Sequence, residues 1–499
     1  MKTNNQRTWL VTTLLVLSVA LLAMAFVACG GDNTPADTTA DTSEATQADG
    51  TGAADATVAD TNADAETPTE TETNATEGDA TVAETVAATE PVTEAQTEAP
   101  SIKEQLGLEI KMSDLSAAMQ PIFKGNTSTN ETVMFLDKGD VKSLLYPITS
   151  ITSVTSYDGS KTYTEGTDYE VVDGKLKVLA NSSIPCITSA KYYGFPGVGG
   201  LTINTKNPAT GQMVSTFWGE SQMKQYQVCV TYTHDATWEG YTQECQLDVY
   251  QNLVKKLQNG ENVTVFFYGD SITWGACSSF LEGAAPKQGS YAMLLVEALA
   301  DLFDYTVKYI NTGLADTMAC APVPTKDYVA GTRGTITYVN TAIGGWTSTD
   351  GVNKFDKMFK ATATQYGCDL AIIAFGMNDG GSQASVTSNN VKNIANKIYA
   401  INENASIVLL STMVPHNGSN WDFAPIKQQE AKLQQVARNF RGDDKVCAVA
   451  CMTSVSQAIL KHKTFNDYSG NNINHPNDWF YRVYAQTILQ TIIGYENMN

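Results

Sequence analysis

The sequence predicts an α/β fold, a mainly parallel sheet with helices on both faces, preceded by a β-sandwich domain. After Gly260, apolar strand-like runs alternate with amphipathic helix-like runs, which is typical of a parallel sheet. Between residues 104 and 250, short alternating runs such as Gln227-Val-Cys-Val-Thr-Tyr232 are separated by turn signals such as Asp173-Gly174. This second pattern favours antiparallel strands. The first hundred residues fit neither pattern.

Residues 1–28 have the composition of a secretion signal. Lys2 and Arg7 precede an apolar stretch, Trp9 to Val27, and Cys29 follows it. A charged start followed by such a stretch is typical of signal peptides. The segment resembles bacterial lipoprotein signals, which implies that Cys29 becomes a lipidated new N-terminus. An uncleaved transmembrane anchor is the alternative. Both interpretations place the rest of the chain outside the membrane.

Residues 29–103 are predicted to form a disordered tether. The segment from Gly30 to Pro100 is rich in Thr, Ala, Glu, Asp and Gly and contains no Lys or Arg. Such a composition cannot bury enough apolar surface to fold. Much of the net charge of −21 lies here. The remaining body is only mildly acidic and has no basic stripe, so nucleic acid is not an expected partner.

The body divides into a β-sandwich accessory domain over residues 104–250 and a catalytic domain over residues 251–499. The boundary between the two falls within a helix predicted over residues 246–258. Strands are then predicted at 263–268, 306–311, 335–342, 369–375, 406–412 and 445–450. Helices are predicted between and after them at 290–303, 353–366, 386–402, 425–440 and 479–495.

Polar residues lie at the ends of three of these strands. Gly269-Asp270-Ser271 comes after the first strand, Asn340 to Gly345 overlaps the end of the third, and Gly376-Met377-Asn378-Asp379 comes after the fourth. Ligand sites in such sheets form outside the carboxyl ends of the strands. A serine presented in a tight turn at that edge is a candidate nucleophile.

These blocks resemble the SGNH, or GDSL, hydrolase family of serine esterases, which has a three-layer, flavodoxin-like fold. The segment Gly269 to Thr273 is similar to the nucleophile block of that family, and the segments Asn340 to Gly345 and Gly376 to Asp379 are similar to its glycine and asparagine blocks. His475-Pro476 is similar to its histidine block. The four occur in the order of the family between residues 263 and 495.

The glycine block has a competitor earlier in the chain. The segment Tyr309 to Asp316 also contains Asn-Thr after a predicted strand. The later copy is favoured, because a glycine stands five residues after Asn340, whereas Asp316 stands five residues after Asn311.

The resemblance implies a role for each block. Ser271 is the nucleophile, and His475 is the base that takes its proton. The backbone N–H groups of Ser271 and Gly345 and the side-chain amide of Asn378 form the oxyanion hole. Glycine suits position 345 because the backbone must approach the substrate closely.

One position departs from the family pattern. The family usually has an aspartate three residues before the histidine, where it orients the ring, and this chain has Asn472 there. In an unrelated serine hydrolase, changing the aspartate to asparagine costs about 10⁴ in rate. Three interpretations remain open: a Ser271–His475 dyad with the ring oriented by a backbone carbonyl, rescue by a nearby carboxylate such as Asp467, or an impaired enzyme.

Several other residues are candidates for substrate contact. Aromatic rings near the site can stack on sugar rings or simply pack in the core. His416 follows the strand at 406–412. Asp270 adjoins the nucleophile, although Asp270 and Asp379 are better explained as turn-forming acids than as a glycosidase pair. The aromatic candidates are Trp274, Trp346 and Trp421.

No cofactor or metal site is predicted. The chain has four His and nine Cys, without a CxxC pair or a zinc-ligand spacing. It also lacks the GxSxG, HExxH and GxxxxGK[ST] motifs. The eight cysteines after Cys29 fit either extracellular disulfides or buried free thiols.

The sequence therefore predicts an extracellular serine ester hydrolase, anchored to the cell membrane through Cys29 or secreted. It is expected to deacetylate O-acetylated polysaccharide through an acyl-enzyme on Ser271. The expected partners are an acylated carbohydrate or another small ester, and the membrane. The alternatives are a catalytically impaired glycan-binding or surface protein, and a lipase or thioesterase of the same fold.

Overall fold

The computed structural model describes residues 99–193, 202–206, 213–215, 222–315, 318–417, 419, 421 and 424–499. The predicted signal, Cys29 and the predicted tether up to residue 98 lie outside the described residues. The chain separates into two units, Met1–Glu98 and Ala99–Asn499, and the described residues all belong to the second unit. No helix among the described residues combines the length and the apolar character that a membrane span requires.

Short strands dominate the first part of this unit. The strands are β1 (Thr127–Met134), β2 (Val141–Lys142), β3 (Ser150–Ser156), β4 (Thr162–Tyr163), β5 (Tyr169–Val172), β6 (Lys175–Val178), β7 (Thr202–Lys206), β8 (Met213–Ser215) and β9 (Gln227–Thr233). Two short helices accompany them, α1 (Ile102–Leu106) and α2 (Ser189–Tyr192). We refer to residues 99–245 as the β-rich part.

Every described strand pair in the β-rich part is antiparallel. One sheet has the order β1-β9-β3-β4 and a second has the order β2-β6-β5, while β7 pairs with β8. Strand β9 shows why the residues form these sheets, because its side chains from Val228 to Thr233 alternate between buried and partly exposed positions. Strand β9 lies where the alternating run Gln227 to Tyr232 predicted a strand. A sandwich of facing sheets remains a prediction.

The second part alternates strands and helices. Its strands are β10 (Val263–Gly269), β11 (Tyr305–Ile310), β12 (Leu314–Ala315), β13 (Met318–Ala319), β14 (Tyr328–Val329), β15 (Gly334–Asn340), β16 (Leu370–Ala374), β17 (Ser406–Leu410) and β18 (Cys447–Ala450). Its helices are α3 (Leu247–Gln258), α4 (Ser271–Trp274), α5 (Tyr291–Phe303), α6 (Ser348–Asn353), α7 (Ala361–Tyr366), α8 (Ala384–Tyr399), α9 (Ala424–Gly442), α10 (Met452–Ile459), α11 (Phe465–Tyr468) and α12 (Asp478–Ile492).

Seven of these strands form one sheet with the order β14-β11-β15-β10-β16-β17-β18. All neighbours are parallel except β14 and β11. This confirms the predicted α/β fold with a mostly parallel sheet. Strand β10 comes first in the chain but lies between β15 and β16, so the order reverses beside it. A crevice outside the carboxyl ends of the strands at such a reversal is the usual ligand site.

One predicted helix differs from the structure. The helix predicted at 353–366 begins earlier, at Ser348, and contains a π-helical turn at Asp356–Lys360. The early start has a local cause: Thr347 and Asp350 form a capping box, in which each side chain accepts a hydrogen bond from the backbone N–H of the other residue. The apolar periodicity begins after this cap and therefore did not reveal it.

Helix α12 is buried along its whole length, from Asp478 to Ile492. Part of its cover comes from the β-rich part. The Arg482 guanidinium donates to the backbone carbonyls of Thr129 and Asn130 at 2.9 and 2.7 Å. The Gln486 side chain accepts from the N–H of Ile122 at 2.8 Å. The β-rich part and the α/β part therefore share polar contacts that bury the same helix.

Candidate active site

Ser271 stands at the carboxyl end of β10, at the point where the sheet order reverses. Gly269 ends the strand, and a Cβ at that position would lie 2.4 Å from the backbone oxygen of Ala374 in β16. Only glycine therefore allows the two strands to approach this closely. Asp270 then caps the short helix α4, accepting from the N–H of Ile272 at 3.0 Å. This local chemistry places Ser271 on the first turn of α4.

The structure brings Ser271 and His475 together. Ser271 Oγ lies 2.8 Å from His475 Nε2, across 204 positions of the chain. Both residues keep 8% of their surface exposed, so a small molecule can reach them. Burial lowers the pKa of His475 to about 4, so the ring is neutral at pH 7. A neutral imidazole next to a serine hydroxyl is the arrangement that general-base activation requires.

Asp270 and Asp379 serve the loops around the nucleophile. Burial raises the pKa of Asp270 to about 7, and the nearby Asp379 adds to the effect, although the N–H groups of Ile272 and Met377 act in the opposite direction. Asp379 accepts from the N–H of Ser348 at the start of α6, and burial raises its pKa as well. These contacts fit the interpretation of both residues as turn-forming acids.

The predicted oxyanion-hole residues lie around the same strand ends. Gly345 has a φ of 79°, a left-handed conformation that favours glycine. A Cβ on its neighbour Gly344 would lie 3.9 Å from Ser271 Cβ, so this block runs alongside the serine. The Asn378 Nδ2 group donates to the carbonyl of Trp346 at 3.1 Å and has a second N–H. The N–H of Ser271 belongs to the first turn of α4, where backbone donors have no partner within the helix.

The favoured copy of the glycine block is the one beside the nucleophile. Asn340 ends β15, the direct neighbour of β10, and its side chain donates to the carbonyl of Thr273 at 2.8 Å. Asn311 is exposed at the end of β11, one strand further away. Asp316 lies outside the described residues.

Two tryptophans contact the Asn378 amide. Trp421 Nε1 donates to Asn378 Oδ1 at 3.3 Å, while the backbone of Trp346 accepts from the same side chain. Trp274 is half-buried at the end of α4. His416 is also half-buried, and its N–H donates to the carbonyl of Ile473 on the loop that carries His475.

Asp467 is turned away from His475, which corrects one of the predicted ways of orienting the ring. Its carboxylate accepts from the N–H of Met134 at 2.9 Å and pairs with Lys142 at 3.0 Å. Burial alone would raise the pKa of Asp467, but Lys142 and Lys463 outweigh it and hold the pKa below its usual value. The physical reason is the capping box of Asp467 with Thr464, which directs the carboxylate towards the β-rich part.

Asn472, the residue at the family's acid position, contacts the β-rich part. Its Oδ1 accepts from the Tyr192 hydroxyl at 3.2 Å, and its backbone N–H donates to Ser469 Oγ at 2.9 Å. Its backbone has a φ of 59°, a left-handed conformation in which asparagine is common.

Two residues that the sequence interpretation missed face the other nitrogen of His475. Asn471 Nδ2 lies 3.1 Å from His475 Nδ1, and Cys277 Sγ lies 3.8 Å from it. No carboxylate and no backbone carbonyl contacts this nitrogen among the described residues. Asn471 stands next to Asn472 in the sequence, but the family pattern directed attention to the neighbouring position.

Beneath the nucleophile turn lies a cavity of about 10 Å³. This is room for about one water molecule and far too little for an ester. Its polar lining includes Asp270, Ser411, Thr412 and Tyr484. This cavity is therefore not where an ester substrate binds.

The described residues contain no cluster of His, Cys, Asp and Glu that could hold a metal ion. All eight cysteines after Cys29 are described, and all are unpaired. Of the two cysteine interpretations, the structure therefore has free thiols, five of which are buried.

Residues 267–483 match the sequence model of the GDSL-like Lipase/Acylhydrolase family. The match covers somewhat less than half of the chain and includes Ser271, Gly345, Asn378 and His475. The match supports a GDSL/SGNH lipase-acylhydrolase domain in this part of the chain. A search of curated proteins found no match.

Several solved structures are similar to the chain. A two-domain esterase (CEX) active on acetylated mannans is 19% identical, with a TM-score of 0.35, and the match covers 49% of this chain and 52% of that one. This chain thus spans about half the length of that esterase. A mutant of Axe2, an acetylxylan esterase from Geobacillus stearothermophilus, is 15% identical, with a TM-score of 0.32 and coverages of 48% and 96%. A lipase/acylhydrolase from Enterococcus faecalis is 15% identical, with a TM-score of 0.31 and coverages of 46% and 94%.

Proposed function

We propose that the protein is a serine ester hydrolase that removes acetyl groups from O-acetylated polysaccharide. The observation that carries the hydrolase proposal is the 2.8 Å contact between Ser271 Oγ and His475 Nε2 at the sheet reversal. The proposal has further support from the family match over the same residues.

In the proposed reaction, Ser271 Oγ attacks the carbonyl carbon of the ester and transfers its proton to His475 Nε2. The negative charge on the carbonyl oxygen is held by the N–H groups of Ser271 and Gly345 and by the Asn378 amide. His475 then protonates the sugar oxygen as it leaves, and the acetyl group stays on Ser271. Water, deprotonated by His475, releases acetate and restores the serine.

Replacing Ser271 by alanine is expected to lower kcat for a small acetyl ester by about 10³ or more, because the attacking oxygen is lost. In addition, a phosphonate ester that traps serine nucleophiles should add its mass to the peptide containing Ser271. Both kcat and the added mass are measured on wild type and Ser271→Ala, after thermal unfolding has shown that the two proteins are equally stable. Equal hydrolysis by the two proteins would exclude Ser271 as the nucleophile.

The acetyl group and the polysaccharide are the finer part of the proposal. The half-buried Trp274 and Trp346, together with Trp421 on the Asn378 amide, supply aromatic surface of the kind that stacks on sugar rings. A series of esters with lengthening acyl chains tests the choice. A preference for long chains would favour the lipase or thioesterase alternative, and hydrolysis of none would favour the impaired glycan-binding protein.

We propose in addition that the protein is extracellular and anchored through Cys29. The support is the charged start, the apolar stretch and the acidic tether of the sequence. Cells that express the wild-type chain should incorporate labelled fatty acid into it, whereas the Cys29→Ser chain should stay unlabelled. Equal labelling of the two chains contradicts the anchor at this position.

A further inference from the structure

The side chain of Asn471 has a fixed orientation. Its Oδ1 accepts three backbone hydrogen bonds, from Ile473 at 2.9 Å and from Asn474 and His475 at 3.0 Å each. An amide NH₂ group cannot accept these bonds, so the oxygen must occupy this position. The Nδ2 group consequently points the other way, towards Asn474 Oδ1 at 3.0 Å and His475 Nδ1 at 3.1 Å.

This orientation determines where a neutral His475 carries its proton. An amide NH₂ group only donates, so His475 Nδ1 must accept and must itself be unprotonated. The single proton of the neutral ring then sits on Nε2, which faces Ser271 Oγ at 2.8 Å. A protonated Nε2 donates to the serine oxygen and cannot take the serine proton. The productive tautomer carries its proton on Nδ1 instead, where the Cys277 sulfur at 3.8 Å is the acceptor that the described residues offer.

We propose that Asn471 is a positioning residue that holds His475 in the tautomer with the proton on Nε2, so that the wild-type site is slow and an acid at position 471 activates it. The inference rests on the proposed function, because it assigns the state of the same base. It differs from the family pattern in two ways: the relevant position is 471 rather than 472, and its side chain donates to the ring instead of accepting from it.

Among the described residues, no charged group acts on the ring strongly enough to override the amide, since burial is the one cause that shifts the pKa of His475. Cys277 is the titratable group in contact with Nδ1, and burial keeps its pKa far above neutrality, so it remains a thiol. A thiol is a weak donor and a weak acceptor. The carboxylates of Glu282 and Asp478 and the Lys224 ammonium act on Cys277, and none of them contacts His475.

The first test observes the tautomer directly. In the full chain labelled with [15N]histidine at pH 7, His475 should show a pyrrole-type signal for Nε2 and a pyridine-type signal for Nδ1. The His475→Ala chain identifies the signals among the four histidines of the sequence. The reverse assignment, with the proton on Nδ1, overturns the proposal. This readout does not depend on hydrolysis, so it stands apart from the test of the proposed function.

The second test introduces the acid. In Asn471→Asp, one carboxylate oxygen keeps the three backbone hydrogen bonds and the other accepts from a protonated Nδ1. We expect kcat/KM for an acetyl ester to rise by between about tenfold and 10⁴-fold, the reverse of the loss seen when a serine hydrolase exchanges its aspartate for asparagine. Unchanged or lower kcat/KM in a folded Asn471→Asp protein contradicts the proposal.

Asn474→Asp is the matched control. It adds the same charge beside His475, but its side chain faces Asn471 Nδ2 rather than the ring. The His475 nitrogen signals and the kcat/KM of Asn474→Asp should stay close to those of the wild type. If kcat/KM rises as much in Asn474→Asp as in Asn471→Asp, position 471 has no specific role. A third outcome is that the wild type, Asn471→Asp and Asn474→Asp all lack hydrolysis, while wild-type His475 carries its proton on Nε2. In that case the proposed function fails and the assignment of the tautomer holds.

The pH profile supplies a further readout. The neutral ring is the base, and the pKa of His475 is about 4, so wild-type kcat/KM should persist down to about pH 4 and fall below it. The carboxylate in Asn471→Asp stabilises the protonated ring and should move this acid limb to higher pH. A limb at the same pH in both proteins contradicts contact between residue 471 and the ring.

Discussion

A fragment that begins at Gln246, and so lacks the β-rich part, is expected to show no cooperative unfolding transition. A chain that begins at Ala99 should keep the transition of the full protein. The reason is the burial of α12, whose Arg482 and Gln486 bond to backbone groups near β1. In the shorter fragment these polar groups, together with the apolar side chains they cover, become exposed to water. Thermal unfolding followed by near-ultraviolet circular dichroism measures the difference.

The fragment from Gln246 would also lose contacts that support the loop carrying His475. The Gln227 side chain in β9 donates to the carbonyls of Asn466 and Ser469 at 2.8 and 2.9 Å. The N–H of Met134 in β1 donates to Asp467. Without these contacts the loop that carries His475 loses its support, so hydrolysis should disappear together with the fold. A folded fragment from Gln246 that hydrolyses acetyl esters would show that the α/β part is independent.

Replacing Lys463 by methionine is expected to lower the free energy of unfolding by about 3–5 kcal/mol. The side chains of Lys463 and Glu131 are completely buried, and Lys463 Nζ lies 2.5 Å from Glu131 Oε1. Glu131 also accepts from the N–H of Leu145 at 2.7 Å and from the Tyr232 hydroxyl at 2.8 Å. Removing the ammonium leaves a carboxylate in the core without its counter-charge. Urea unfolding at fixed pH gives the value.

Two control experiments test whether burial is the reason that the Lys463–Glu131 ion pair contributes to stability. Lys177 Nζ and Glu170 Oε1 lie 2.7 Å apart, but these two side chains are 35% and 42% exposed. Lys177→Met should therefore cost less than about 1 kcal/mol. Combining Lys463→Met with Glu131→Gln removes the unpaired charge and should recover part of the lost stability. If Lys463→Met costs no more than Lys177→Met, the buried pair does not stabilise the fold.

The sequence predicted the α/β part well because its signals are local. Apolar runs such as β10, which is buried at every residue, reveal strands without knowledge of their neighbours. The polar turn after β10 and the order of the four blocks likewise predicted which strand ends meet. Each of these inferences needs only the chain within about ten residues of the motif and the rule that parallel strands end at one edge.

The support of the histidine loop could not be predicted, because its partners are distant in the chain. Lys463 appears beside His462 in a polar stretch, which favours an exposed position, yet its side chain is buried and pairs with Glu131, which lies 332 positions away. Asp467 was a candidate for orienting His475 because it lies on the same loop. Sequence separation does not give the direction of a side chain, and here the cap at Thr464 determines that direction.

The two-residue strand β14 has a consequence for self-association. It pairs antiparallel with β11 through Thr306–Val329 and Val307–Tyr328 only. Without it, the backbone groups of Thr306 and Val307 would join the free edge of β11, and such an edge is the usual template for strand pairing between molecules. A strand of two residues offers too few such groups to recruit another chain. For a protein that we propose is anchored to a surface, this short strand makes one edge of the sheet a poor template for pairing with a neighbouring molecule.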